Sequence, residues 1–598
     1  MPFGVRLDGR GGARFRLWAP AVKQVELVLE SGAAPMRAMA GGWFELDVTH
    51  VQAGADYAFR LDDGLVVPDP AARATRHGVH GASAVVDPLA FDWPDADWRG
   101  RPWHEAVIYE LHVGCFTPEG TFAAAAQRLD ELVALGVTAI ELMPVAEFAG
   151  ARGWGYDGVL LFAPKAEYGT PESLKALVAA AHQRGLMVLL DVVYNHFGPD
   201  GNYLHASAPQ FFNPGLATPW GPAIAFEGSA SRTVRDFFIE NALYWLEEFH
   251  FDGLRLDAVH AMHDRGLPHF IDELARTVRA GPGRERHVHL ILENDLNDAA
   301  RLGRDAQRRP LLGDAQWNDD VHHALHVIAT GETDGYYRDY ADAPVRLFGR
   351  ALAEGFAYQG EPSAHRDGEW RGTSSAHLPP LAFVNSLQTH DQIGNRAFGE
   401  RLGALAAAAG QEDALRALTA CVLLAPSPPM LFMGEEWAAS TPFLYFCDHH
   451  DELGRAVTEG RRAEFGGFAR FADPAVRDAI PDPNLPATFL QSKLDRREAL
   501  REPHAGWLAL YRTLLAVRHA HLLPWLAEAG SGVYSAPAGG TLRIQWPLGG
   551  GRRWHLLAQL AAYEASGAAQ LPGEIVYRSH PAATALPPWS VQFAIERA

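Results

Sequence analysis

The 598-residue sequence is poor in cysteine, short of positive charge and free of any long apolar run. Only Cys115, Cys421 and Cys447 occur, widely spaced and without a CxxC pair. That excludes a disulfide framework or a cysteine zinc site and fits inert buried thiols in a reducing cytoplasm. Lys and Arg number 52 against 72 Asp and Glu, a formal charge of −20, which disfavours nucleic acid or an anionic membrane as partner and suits neutral substrates. No window reaches membrane-spanning length. The first residues, MPFGVRLDGRGGARF, lack the charged and apolar regions of a signal peptide. A phosphate loop and a dinucleotide GxGxxG with its downstream acid are both missing, and the glycine-rich stretches at 9–12 and 549–551 read as turns. The remaining composition, 48% hydrophobic and 21% charged, is that of a globular chain too long for one core.

Three textures follow one another. Residues 1–95 carry short apolar runs (ARFRLWAP, QVELVLE, WFELDV, DYAFRLD) separated by Gly, Pro and Asp, which predicts an N-terminal immunoglobulin-like β-sandwich. From 96 to 527 strand-like and helix-like segments alternate. Eight strand-like segments can be counted: 106–114, 137–145, 186–196, 251–259, 290–295, 314–320, 381–391 and 429–437. Near-continuous apolar strands with helices between them mean a parallel sheet, and eight of them predict a (β/α)8 TIM barrel. Helices are expected over 121–136, ended by Gly136, over 170–185, started by Thr170 and Pro171, over 234–250 and over 506–521. Loop-like insertions stand at 197–232 and 438–497, and residues 528–598 predict a C-terminal antiparallel β domain.

Asp257, Glu293 and Asp391 each sit where an apolar run ends. Strand interiors exclude unpaired carboxylates, whereas the strand C-termini of a barrel all open on one face. Hydrolysing a glycoside needs one acid to protonate the leaving oxygen and a second carboxylate to attack the anomeric carbon or activate water. Arg255, two residues before Asp257, shares its strand face and would orient it. Four apolar residues precede Glu293, so burial would raise its pKa toward general-acid duty. His390 precedes Asp391 and could donate to sugar hydroxyls. Singly, each acid reads as well as a structural ion pair or a helix cap; together with the histidines they point to glycoside chemistry.

The segments DVVYNH (191–196), GLRLDAVH (253–260), ILEND (291–295) and NSLQTHD (385–391) resemble, in order, the four signature regions of the α-amylase superfamily, glycoside hydrolase family 13. The resemblance runs over most of the chain. It implies that Asp257 is the nucleophile, Glu293 the acid/base and Asp391 the group gripping the distorted sugar. His196, Arg255 and His390 would line the same subsite, with Tyr156 of GWGYDG as its aromatic platform, and His260 is a further substrate-binding candidate. The longer contexts YELHVGCFTPEGTF, LENDLND, WNDDVHHALH, HDQIGNRAFGERL and LFMGEEWAASTPFLYF resemble members that cut the α-1,4 bond next to a terminal trehalose unit of maltooligosyltrehalose. Asn294, Asp295, Trp317, Asp319, Asp320, His323, Gln392 and Asn395 are then candidates for holding substrate. Some of these read equally as loop residues bonded to backbone. Many relatives bind calcium through an asparagine at the place of Asn195, but 197–232 offers only Asp200 and Asn202 and no dense acidic cluster. No metal and no cofactor is expected. Two alternatives stay open: a glycogen debranching or branching enzyme with the same acids, and a carbohydrate-binding protein with a dead barrel.

Overall fold

The computed structural model describes residues 2–467, 469–471, 473–537, 539–566 and 570–597, so the expected 438–497 insertion and the two terminal modules are described except at the few positions left out. The centre is a closed parallel barrel of eight strands: β1 Ile108–Leu111, β2 Ala139–Leu142, β3 Met187–Val192, β4 Gly253–Leu256, β5 His289–Leu292, β6 Ala315–Trp317, β7 Phe383–Ser386 and β8 Pro429–Phe432. These strands lie at the expected segments. They are buried along their whole length because one face meets helices and the other the barrel lumen.

The helices follow the expected punctuation with two kinds of departure. Thr170 caps Pro171–His182 by accepting from the Ser173 amide, and Gly136 ends Leu129–Leu135 in the left-handed conformation. The helix expected over 121–136 is two pieces, Phe122–Ala126 and Leu129–Leu135. The helices Ser231–Leu243 and His504–Val517 each run into a π-turn, Tyr244–Glu248 and Arg518–Leu522. Such turns insert one residue and rotate the following face.

Strands between Gly4 and Ala84 form two antiparallel sheets. Alternation works there: in Gly12–Trp18 the side chains of Ala13, Phe15 and Leu17 are buried while Arg14 is exposed. Their own core, around Phe15, Leu27, Tyr57 and Phe59, is separate from the barrel's. The module docks through Phe3 edge-on to Phe237 and Trp18 edge-on to Phe211. At the other end five antiparallel strands, from Val533–Ser535 to Ser590–Glu596, share the barrel's core. Trp546 and Trp554 are fully buried and donate their indole N–H to the carbonyls of Leu352 and Leu424. Among the described residues no helix is long and apolar enough to cross a membrane.

Strand parity sets the site. Ile108, Ala139, Leu189, Ile291, Ala315 and Val384 fill the lumen in an apolar layer. Two residues further along the same faces come Glu110, Glu141, Asp191 and Glu293, and on β4 Arg255 and then Asp257. The lumen therefore changes from apolar to ionisable toward its C-terminal mouth.

Candidate active site

Arg255 organises this polar layer. It is fully buried, and one terminal nitrogen donates to both oxygens of Asp191 at 2.9 Å and to Asp257 Oδ1 at 2.8 Å. The other lies 3.0 Å from Glu293 Oε2, and the guanidinium is 4.1 Å from the Trp317 ring centroid. Asp257 and Glu293, from different strands, thus share one cation. The second Asp257 oxygen accepts from Asn195 Nδ2 at 2.8 Å, and Glu293 Oε2 from the Ala258 amide at 2.7 Å. Ala258 is held at a left-handed φ of 39°, which aims its N–H at the neighbouring strand end. Burial pushes the Glu293 carboxyl upward, with Asp257 adding to this, against the pull of Arg255.

Asp391 joins from a short helix, His390–Gly394, after β7. Thr389 caps that helix in a capping box with Gln392, so the Asp391 side chain is free of the capping duty it could have had. It lies 3.4 Å from His390 Nε2 and accepts from Asn395 at 3.3 Å. Burial alone would lower the His390 pKa, but Glu110, hydrogen-bonded to Nδ1, and Asp391 carry it to about 9. His390 is therefore an imidazolium at neutral pH. It donates from Nε2 to the Tyr156 hydroxyl at 2.8 Å, which donates to Asp191 at 2.7 Å, and the Tyr156 and His390 rings stack. His196 bonds the Asn195 side chain and the Tyr156 carbonyl, and burial lowers its pKa. One connected network joins Asp257, Glu293, His390, Tyr156 and, through Asn195, His196.

A cavity of about 220 Å³ opens above it, lined by Glu293, Asp295, Asp319, His323, Asp391, Gln392 and Asn395 of the expected residues. Other expectations need correction. Asp320 is fully buried and accepts from Asn297, Tyr340 and the amides of Ala357 and Tyr358, leaving nothing for a ligand. Trp317 lies in the lumen, only 3% exposed, because strand parity turns it inward beneath Arg255. Asn294 is buried and closes a turn onto the Leu296 amide. The Gln392 side-chain oxygen is spent on Thr389, although the residue borders the cavity. His260 is half-buried with Nδ1 unpartnered, outside the cavity lining. Asn195 faces Asp257 and His196 with both ends of its amide.

Several site residues were not read from the sequence. Tyr336, Asp339, His365, Arg366 and Arg371 form the far cavity wall, from a stretch between β6 and β7 that the two expected insertions did not include. The available signal was the length of chain from Trp317, which ends β6, to Phe383, which begins β7. It is far more than one barrel helix and its loops need. Arg366 and Arg371 ion-pair with Asp295. Burial, then Glu293, Asp295 and Asp391, push the Asp319 carboxyl well upward. Trp220, half exposed on the hairpin of Phe212–Thr218 and Gly221–Ile224, stacks on His196 with ring centroids 5.0 Å apart. Glu141 is buried with neither oxygen paired among the described residues, and burial, then Glu110 and Asp191, favour its neutral form. The exclusion of unpaired acids from strand interiors holds here only because that acid is uncharged.

Residues 85–242 match the model of the alpha amylase catalytic domain, and residues 529–593 match a domain family of unknown function. The malto-oligosyltrehalose trehalohydrolase of Arthrobacter ramosus is 46% identical over 514 residues, spanning 84% of this chain and 87% of that one. The protein of the same name from Deinococcus radiodurans is 45% identical over 516 residues, 86% and 82% of the two chains. A crystal structure of a putative alpha amylase from Salmonella typhimurium superposes with a TM-score of 0.94 at 45% identity, covering 100% of this chain and 99% of that one. An Anoxybacillus pullulanase complexed with maltotetraose reaches 0.71 at 18% identity over 99% and 87%, a likeness of fold alone. With the barrel, both β modules and relatives spanning most of its length, the chain belongs to the malto-oligosyltrehalose trehalohydrolase family of the α-amylase superfamily.

Proposed function

We propose that the enzyme hydrolyses the α-1,4-glucosidic bond next to the terminal trehalose unit of maltooligosyltrehalose, releasing trehalose with retention at the anomeric carbon. The observation carrying the chemistry is that a single guanidinium, Arg255, bridges Asp257 and Glu293. In this reading Asp257, oriented by Arg255 and Asn195, attacks the anomeric carbon. Glu293 delivers its proton to the departing oxygen, then removes one from the water that hydrolyses the glycosyl-enzyme intermediate. Asp391 and the His390 imidazolium hold hydroxyls of the sugar being cut, and Tyr156 supports its face. Trehalose leaves on the side where Asp319, Asp295 and the wall between β6 and β7, with Tyr336, Arg366 and Arg371, stand. A neutral Asp319 can donate a hydrogen bond there and an ionised one cannot.

The deciding experiment separates products after incubation with maltooligosyltrehalose, amylopectin and maltooligosaccharide. Free trehalose without change in the branched polymer is the expected result. Shortened or newly formed branches without trehalose would replace this reading by debranching or branching. A retaining mechanism also requires the Asp257 and Glu293 carboxyls about 5–5.5 Å apart in a substrate-analogue complex.

Glu293→Gln should lower kcat by about 10²–10⁴-fold, the usual range for a missing general acid. The loss in kcat/KM, which reads the glycosylation step, should be far smaller for α-maltosyl fluoride, whose leaving group needs no proton. Because Glu293 acts protonated and burial raises its pKa, wild-type activity should fall as pH rises through that value. The variant's alkaline limb should vanish; an unchanged limb would assign the proton to another group.

A further inference from the structure

A larger groove, of about 740 Å³, opens at the opposite end of the barrel. Its lining fixes the place: His289 begins β5, Asp314 precedes β6 and Leu381 precedes β7. Barrel enzymes carry out their chemistry at the other face, so the glycosidase reaction does not account for this groove. It is lined by six arginines and two aspartates, a formal excess of 6 − 2 = +4, in a chain whose formal charge is −20.

Some of that charge is structural. Arg279 pairs with Asp314 and donates to the Val288 and Leu312 carbonyls, and Arg286 reaches Asp252 and the carbonyls of Leu246 and Phe251. Arg309 pairs with Asp305. Arg284, Arg304 and Arg308 differ, for among the described residues none has a carboxylate within ion-pair distance. Arg304 donates to the carbonyls of Leu302 and Asp314, and Arg308 to that of Ala529. Carbonyls orient a guanidinium without neutralising it. Arg304 is lowered to about 10 by burial first, with the positive Arg279 and Arg308 adding to this against Asp314. Arg308 has a φ of 65°, a left-handed backbone that side chains disfavour, within a loop closed by the Asp305 amide on the Arg309 carbonyl. The chain thus keeps an arginine, strained and unneutralised, where glycine would relax the backbone.

We propose that this groove binds a small phosphorylated polyanion, with Arg284, Arg304 and Arg308 as its charge partners. Its volume is that of a small-molecule site, and guanidinium forks match phosphoryl oxygens two at a time. An anion there would add to the pull of Asp314 against the repulsion between Arg304 and its neighbours Arg279 and Arg308.

Isothermal titration of the full chain with inorganic phosphate and with tripolyphosphate, at fixed ionic strength, tests this. Saturable binding is expected, tighter for tripolyphosphate and weakened at least about tenfold, one charge-assisted contact's worth, by Arg308→Gln and by Arg284→Gln. Trehalose release should stay at the wild-type rate in both variants, since neither residue touches the catalytic mouth. If Arg308→Gln fails to fold, Arg284→Gln, at an exposed position, carries the test by itself. Arms with ATP and with a hexose phosphate then separate a polyphosphate ligand from a phosphomonoester. Equal affinity in variants and wild type, no binding of either phosphate, or a signal reproduced by sodium chloride at matched ionic strength would each overturn the assignment.

Discussion

Asp257→Ala should reduce maltooligosyltrehalose turnover on the order of 10⁴-fold or more, as loss of an attacking group does, while substrate binding stays measurable by calorimetry. The reason is local. Asp257 is two residues beyond the lumen-facing strand position of Arg255, so it emerges at the barrel mouth already held by Arg255 and Asn195 at 2.8 Å each. Its removal deletes the atom that bonds to the sugar and leaves the cavity walls in place. Asp257→Asn, of the same shape, guards against a folding defect and should be equally inactive. Azide with an activated α-glycosyl fluoride gives the stronger evidence. The small anion can occupy the space of the missing carboxylate in the alanine variant and attack from the same side, yielding a β-glycosyl azide. Near wild-type turnover in either variant, or an α-configured azide product, would remove Asp257 from the nucleophile's role.

Arg255→Met should be the most destabilising single change near the site. The side chain is fully buried between Asp191, Asp257 and Glu293. Deleting one partner of a buried ionic cluster costs about 3–5 kcal/mol because the remaining charges stay buried and unpaired. Denaturant unfolding at neutral pH should show that loss as a lower midpoint. A purely structural part would end there. Arg255 also opposes the burial that raises the Glu293 pKa, so its removal favours the neutral acid still further. The alkaline limb of the variant's residual activity should therefore move to higher pH, with turnover down at least about 10²-fold from misplaced carboxylates. Arg255→Lys keeps the charge and loses the fork, so it should shift the limb less and still lose turnover. A destabilised variant with an unmoved pH limb would reduce Arg255 to a packing residue.

Both results depend on contacts that were only partly legible in the residue order. Asp257 and Arg255 are two apart on one strand, and a period of two puts them on the same face. The third member of the cluster, Glu293, was visible as a strand-end acid, but its sharing of Arg255 was not, since nothing local relates β4 to β5 in register. The WNDD segment shows the same limit more sharply. Trp317, Asp319 and Asp320 are near neighbours in sequence, yet one lies under the guanidinium, one faces the cavity and one is sealed behind the stretch between β6 and β7. Helix geometry separates Asp319 from Asp320 by about 100°, and Asp320 turns toward the amides of Ala357 and Tyr358, which no local pattern joins to it.

Composition, strand periodicity and strand-end acids were enough to read the barrel and its flanking β modules from the chain alone, and the resemblance of four short motifs implied the family and the roles expected of the three acids. Each of these rests on periodicity or on local order, which a linear sequence carries. The tertiary structure alone decided which acids are neutral, which aromatic supports the arginine and which insertion walls the cavity. Barrel strands are buried on both faces, so their residues do not alternate between apolar and polar, and the inward face cannot be told from the outward one until the sheet closes. Charge state likewise waits on closure, because Glu141 and Glu293 are raised by burial that exists only once eight strands and their helices have excluded water.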